Sequence, residues 1–160
     1  MLNKTAFVSL VAAGVLAMGS ALAQAPQYGA DVTLEQARKA IAAGQAEARK
    51  NNWPVAIAVV DTHGFLVAFE KMDNTQTASV QIAVDKGLSA AMFRRPTKVF
   101  QDLLAKGGEG WRLPSLRGAS MVDGGLPIVI GGKVVGGIGV SGVASHEYAV
   151  VAKAGTDALK

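Results

Sequence analysis

The chain has 160 residues, half of them hydrophobic, with a formal net charge of +4 and no cysteine. That length suits one domain with a sizeable core, and the absence of cysteine excludes disulfides and thiolate chemistry. The charge is too small to indicate a nucleic-acid partner.

Residues 1–23 read as a signal peptide. Lys4 supplies a short positive region, Ala6 to Ala17 is an almost unbroken apolar run, and Ala21-Leu22-Ala23 has the small-x-small pattern of a cleavage site. Ala23-Gln24-Ala25 also fits, but Pro26 would follow that cut, which places cleavage after Ala23. The apolar run is shorter than the roughly 20 residues of a spanning helix. The expectation is therefore a periplasmic or secreted protein with no membrane span after cleavage. It divides into a leader (1–23), an N-terminal extension (24–32) and a single domain (33–160).

Thr33-Leu34-Glu35-Gln36 spells a capping box, which opens a helix running to about Lys50. Leu34, Ala37, Ile41, Gly44 and Ala48 form its inner stripe. Val55 to Val60 is apolar throughout, with large Val55, Ile57 and Val59 alternating with small Ala56 and Ala58, as in a strand covered on both faces. Asp61-Thr62-His63-Gly64 is a turn, and Phe65 to Phe69 returns as hairpin partner. A second helix spans about Thr77 to Phe93, and a third runs from Pro96 to about Lys106. From Trp111 to Gly125 the chain reads as irregular, with a short strand around Ser120 to Val122. Leu126–Ile130 and Lys133–Ser141 form a hairpin through Gly131-Gly132, a turn needing positive φ twice. A final helix covers about Ser145 to Ala158. The order is α-β-β-α-α-(β)-β-β-α, an α/β (α+β) chain.

Gly137-x-Gly139-x-x-Gly142 matches the dinucleotide-binding fingerprint. That motif requires a helix followed by a second parallel strand. Only 18 residues follow Gly142, and the last helix consumes them. The glycines Gly136, Gly137 and Gly139 instead strip a strand of side chains, which lets a helix or a ligand approach its backbone closely. His146-Glu147 begins like a zinc-protease motif, but Val150 stands where the second histidine belongs. Two histidines and no cysteine argue against a closed zinc site. His63, in a tight turn, reads as solvated rather than catalytic.

Between Lys86 and Arg117 lie seven basic residues against Asp102 and Glu109. This stretch suits a small anionic ligand such as a carboxylate, or else it is a solvated helical surface.

Four segments together resemble the small haem-binding or "haem-degrading" proteins of the HbpS/GlcG type, related to the C-terminal domain of PduO. They are "VAIAVVDTHGFLVAFEKMDN" (Val55 to Asn74), "AVDKGLSAAMFRRPT" (Ala83 to Thr97), "GGLPIV" (Gly124 to Val129) and "VGGIGVSG" (Val135 to Gly142). The resemblance implies a profilin-like antiparallel sheet of about five strands flanked by helices, assembled into a homo-oligomer. It also implies haem as cofactor, with Thr97 near the iron, Met72 and Asp73 in the family's loop, and Gly124, Gly125 and Pro127 in its turn.

Three functions follow. In the first, an exported protein binds haem or a related anionic planar ligand. The ring lies on Phe93, Met92 and Leu126, Arg94, Arg95 or Lys98 pairs the propionates, and Thr97, His146 or Met72 meets the iron. In the second, an enzyme acts on a small organic acid or aromatic catabolite, with Asp73, Glu70 or His146 as acid–base groups. In the third, an accessory protein contacts a partner through its oligomeric surface.

Overall fold

A computed structural model describes residues 25–160; the expected leader and its cleavage site lie outside the described residues. The elements are α1 (Leu34–Lys50), β1 (Ala56–Val60), β2 (Leu66–Lys71), α2 (Ser79–Phe93), α3 (Lys98–Ala105), a 3-10 helix (Gly108–Ser115), β3 (Gly125–Ile130), β4 (Lys133–Ser141) and α4 (Ser145–Asp157). Among the described residues no helix is long and apolar enough to cross a membrane.

The sheet is antiparallel and four-stranded, in the order β2-β1-β4-β3. The expected fifth strand at Ser120–Val122 does not form. Side chains take the backbone donors on either side of it: Ser120 N–H donates to Ser89 Oγ (3.0 Å) and Asp123 N–H to Gln101 Oε1 (2.8 Å). With those donors already taken by side chains of α2 and α3, nothing favours a ladder.

The size alternation along β1 determines the two layers. Ile57 and Val59 face a core shared with Ala37, Ala40, Ile41 and Ala48 of α1 and with Val151 and Ala152 of α4. Ala56 and Ala58 face Ala83 of α2. On that small-residue face α2 lies against the sheet backbone. A Cβ on Gly137 would stand 2.3 Å from Gly87 O, and one on Gly139 would stand 2.0 Å from Ala83 O. Gly137 and Gly139 of the motif are thus a bed for α2, whereas Gly142 lies against the backbone of Pro54 and Val55.

The capping box of α1 is complete, with Gln36 N–H donating to Thr33 Oγ1 and Thr33 N–H to Gln36 Oε1. Leu34 departs from the expected inner stripe: it is exposed, and Ala40 and Gln45 are buried instead. At the hairpin tip Gly131 and Gly132 have φ of +56° and +75°, as a two-residue turn of this hand requires.

The described part of the N-terminal extension is bonded to the domain. β1 pairs with β4 only from Gly137 onward. The stretch of β4 beyond it exchanges backbone hydrogen bonds with Gln27 and Gly29 at Val134 and receives one from Val32 at Val135. Asp31 is thereby brought beside the β1–β2 turn, where its Oδ1 accepts from Thr62 N–H (3.0 Å).

Candidate functional site

The basic junction between α2 and α3 centres on Thr97. Its N–H donates to Gly125 O (3.0 Å), and its Oγ1 accepts from Gly125 N–H (2.9 Å). This two-way clasp fixes the start of α3 to the start of β3 and leaves Thr97 wholly buried. A Cβ on Gly125 would come within 2.6 Å of Thr97 Cγ2 and 2.4 Å of Lys86 O. The Gly124-Gly125 turn and Thr97 are therefore one unit, and Pro127 sits two residues along the edge strand β3.

The charged residues around it differ in their freedom. Arg94, in the left-handed conformation that ends α2, donates from Nη1 to Pro26 O (3.2 Å) and lies 5.2 Å from the Tyr28 ring. It is occupied in holding the N-terminal segment. Lys98 pairs with Asp102 at 2.7 Å on the exposed face of α3, and that carboxylate holds the ammonium pKa above its ordinary value. Arg95 is exposed. Its guanidinium carbon stands 5.8 Å from the Phe100 ring, which meets Phe93 edge-on at 5.1 Å.

Met72, Asp73 and Glu70 gather elsewhere. With Gln45, Arg49 and Lys71 they line a cavity of about 390 Å³. Gln45 Nε2 donates to Glu70 Oε2 (2.6 Å) and Arg49 Nη2 donates to Gln45 Oε1 (2.9 Å). None of the described cavities joins this group to Thr97, Arg95 or Lys98. His146 is exposed on the first turn of α4.

Of the seven basic residues from Lys86 to Arg117, Lys86 alone is buried. Lys86 is fully buried. Its Nζ donates to Val140 O (2.9 Å) and stands 3.5 Å from the centroid of the Tyr148 ring. Burial pushes its pKa down from 10.5 to about 7, and the charge of Asp123 opposes the fall. The path to Tyr148 exists because Gly124, at φ +111°, has no side chain; a Cβ there would lie 2.5 Å from Tyr148 Cβ and 3.1 Å from Lys86 Nζ. A signal was available, since Lys86 interrupts the small-residue run of α2 at helical spacing from Ala83 and Ala90.

The sequence profile of a family described as "Haem degrading protein HbpS-like" matches residues 32–157. The protein GlcG of Escherichia coli K12 is 38% identical over 107 residues, covering 67% of this chain and 78% of GlcG. A double mutant of Streptomyces reticuli HbpS superposes with a TM-score of 0.76 at 32% identity, covering 94% of this chain and 99% of HbpS. A PduOC–heme complex shares the fold, with a TM-score of 0.73 at 20% identity over 81% of this chain and 96% of that one. Its 20% identity bears on the fold alone. The family match and the HbpS likeness each run across the sheet, α2 and the Gly125–Thr97 clasp, and on those grounds the chain belongs to the HbpS-like family.

Proposed function

We propose that this is an exported haem-binding protein, acting in the periplasm or after secretion as a homo-oligomer. The observation that carries the reading is the junction of α2 and α3, where exposed Arg95 lies over the ring of buried Phe100, half-buried Phe93 meets that ring edge-on, and exposed Lys98 opens α3. Two exposed cations close in sequence to a half-buried Phe93 suit a planar ring with anionic propionates. The name of the family and the heme held by PduOC agree with it. Haem, when bound, supplies the iron and the planar ring; the chain supplies Arg95 and Lys98 for the propionates. Of the iron candidates, Thr97 is closed off by its clasp with Gly125 and Met72 lies in the other group. His146 is the donor that faces solvent.

Oligomer formation is supported by apolar surface left uncovered in one chain: Phe65 and Trp111 are each 72% exposed, and Leu66 on the edge strand β2 is 52% exposed.

Titration of the purified protein with haem tests the proposal. A saturable Soret band that weakens in Arg95→Ala supports it, and no band at any haem concentration overturns it. A second reading, an enzyme or accessory protein for a small organic acid or aromatic catabolite, is favoured by the Arg49–Gln45–Glu70 relay beside Asp73. There Arg49 would bind a carboxylate while Glu70 or Asp73 moves a proton.

A further inference from the structure

We infer that Asp31, Asp61 and His63 form an open site for a first-row divalent transition ion at the mouth of the cavity lined by Tyr28, Thr62, His63 and Met92. The inference is independent of haem binding at the α2–α3 junction. One donor atom from each of the three side chains lies within 4.8 Å of the others. Small rotations of these side chains would bring all three donors onto a single ion at bond lengths near 2 Å.

The donors are held in place by the chain around them. Asp31 Oδ1 accepts from both Thr62 N–H (3.0 Å) and Thr62 Oγ1 (2.5 Å). Asp61 Oδ1 accepts from His63 N–H (2.8 Å) and Phe65 N–H (2.9 Å). Each carboxylate is thus anchored through Oδ1, and among the described residues Oδ2 of each accepts no hydrogen bond. Neither carboxylate is paired with a lysine or arginine among the described residues. The one ionic neighbour of Asp31 is His63, with Nδ1 at 4.0 Å. Two anions converge with no fixed cation between them, and a divalent ion would neutralise both.

The chemistry of the set selects the ion. An imidazole with two carboxylates prefers zinc, nickel or copper to calcium or magnesium, which want oxygen alone. Three protein ligands leave coordination positions open. The adjoining cavity, about 480 Å³, offers room for a small chelating ligand on the ion. With three protein ligands and open positions, this is a different arrangement from a closed, four-ligand zinc site.

Isothermal titration of the apo-protein with Zn²⁺, and separately with Ca²⁺, tests the inference. One Zn²⁺ per chain is expected. His63→Ala and Asp31→Asn should each weaken it at least tenfold, since loss of even an outer-shell partner costs roughly ten- to a hundredfold. His146→Ala should leave it unchanged, and circular dichroism should show both site variants folded. Zn²⁺ binding that is absent, unaffected by both site variants, or abolished by His146→Ala would overturn the inference. So would Ca²⁺ binding as tight as Zn²⁺ and indifferent to His63→Ala, which would mark a carboxylate pair only.

Discussion

Lys86 and Tyr148 meet past the end of β3, the ammonium 3.5 Å from the ring centroid, joining the helix on one face of the sheet to the helix on the other. The contact joins a group that loses hydration to one that restores part of it by cation–π attraction.

The Lys86 pair makes stability depend on pH in a stated direction. The folded pKa of Lys86 is about 7 against 10.5 for the free side chain. Between those values the unfolded chain binds more protons, so stability rises with pH across that window, and the cost of burying the charge is fully present below pH 7. The difference in thermal midpoint between wild type and Lys86→Met should therefore move in favour of wild type from pH 6 to pH 9.5. Melting curves that run parallel at the two pH values would show that Lys86 does not lose its proton on folding.

Gly139→Ala should destabilise the domain by about 1–3 kcal/mol or more, the cost of overpacking a close-packed site. The added methyl would stand 2.0 Å from Ala83 O and 2.4 Å from Gly87 N, both backbone atoms of α2 that cannot turn aside. Urea unfolding measures it. A nucleotide-cradle role would instead leave stability nearly unchanged.

Thr97→Val keeps the shape and removes the acceptor of the buried Gly125 N–H. An orphaned buried donor costs about 1–3 kcal/mol, so urea stability should fall, and Thr97→Ser should restore it. If haem binds, its Soret maximum should be the same in Thr97→Val as in wild type; a displaced maximum would return Thr97 to the iron.

The two arginines at the end of α2 should separate. Arg95→Ala should weaken haem binding by roughly tenfold or more, the loss of a charged hydrogen bond. Arg94→Ala should chiefly loosen residues 26–32, because its guanidinium is spent on Pro26 O and the Tyr28 ring. Hydrogen exchange of the amides of Gly29 and Val32 reads the second effect directly.

Sedimentation of the protein at micromolar concentration should give a multiple of the chain mass. Phe65→Glu with Leu66→Glu, on the exposed edge strand, should lower that multiple. A wild-type monomer would show that these residues are tolerated in water.

By itself the sequence determined the features that depend on neighbours along the chain. The capping box at Thr33, the two-glycine turn at 131–132 and the size alternation of β1 each rest on a few consecutive residues, and the structure has all three. The fifth strand failed because the donors at Ser120 and Asp123 went to Ser89 and Gln101, side chains 31 and 22 residues away. The candidate site was legible in part: Thr97 and the Gly124-Gly125 turn share one clasp, but Met72 and Asp73 lie in another cavity. Only the tertiary structure decided that Lys86 is buried rather than solvated, and that Asp31 stands beside Asp61 and His63. Burial and the convergence of charges depend on which segments fold against each other. Lys86 reaches Tyr148 across a gap left by Gly124, and Asp31 reaches its partners because residues 27–32 fill the stretch of β4 that β1 leaves unpaired.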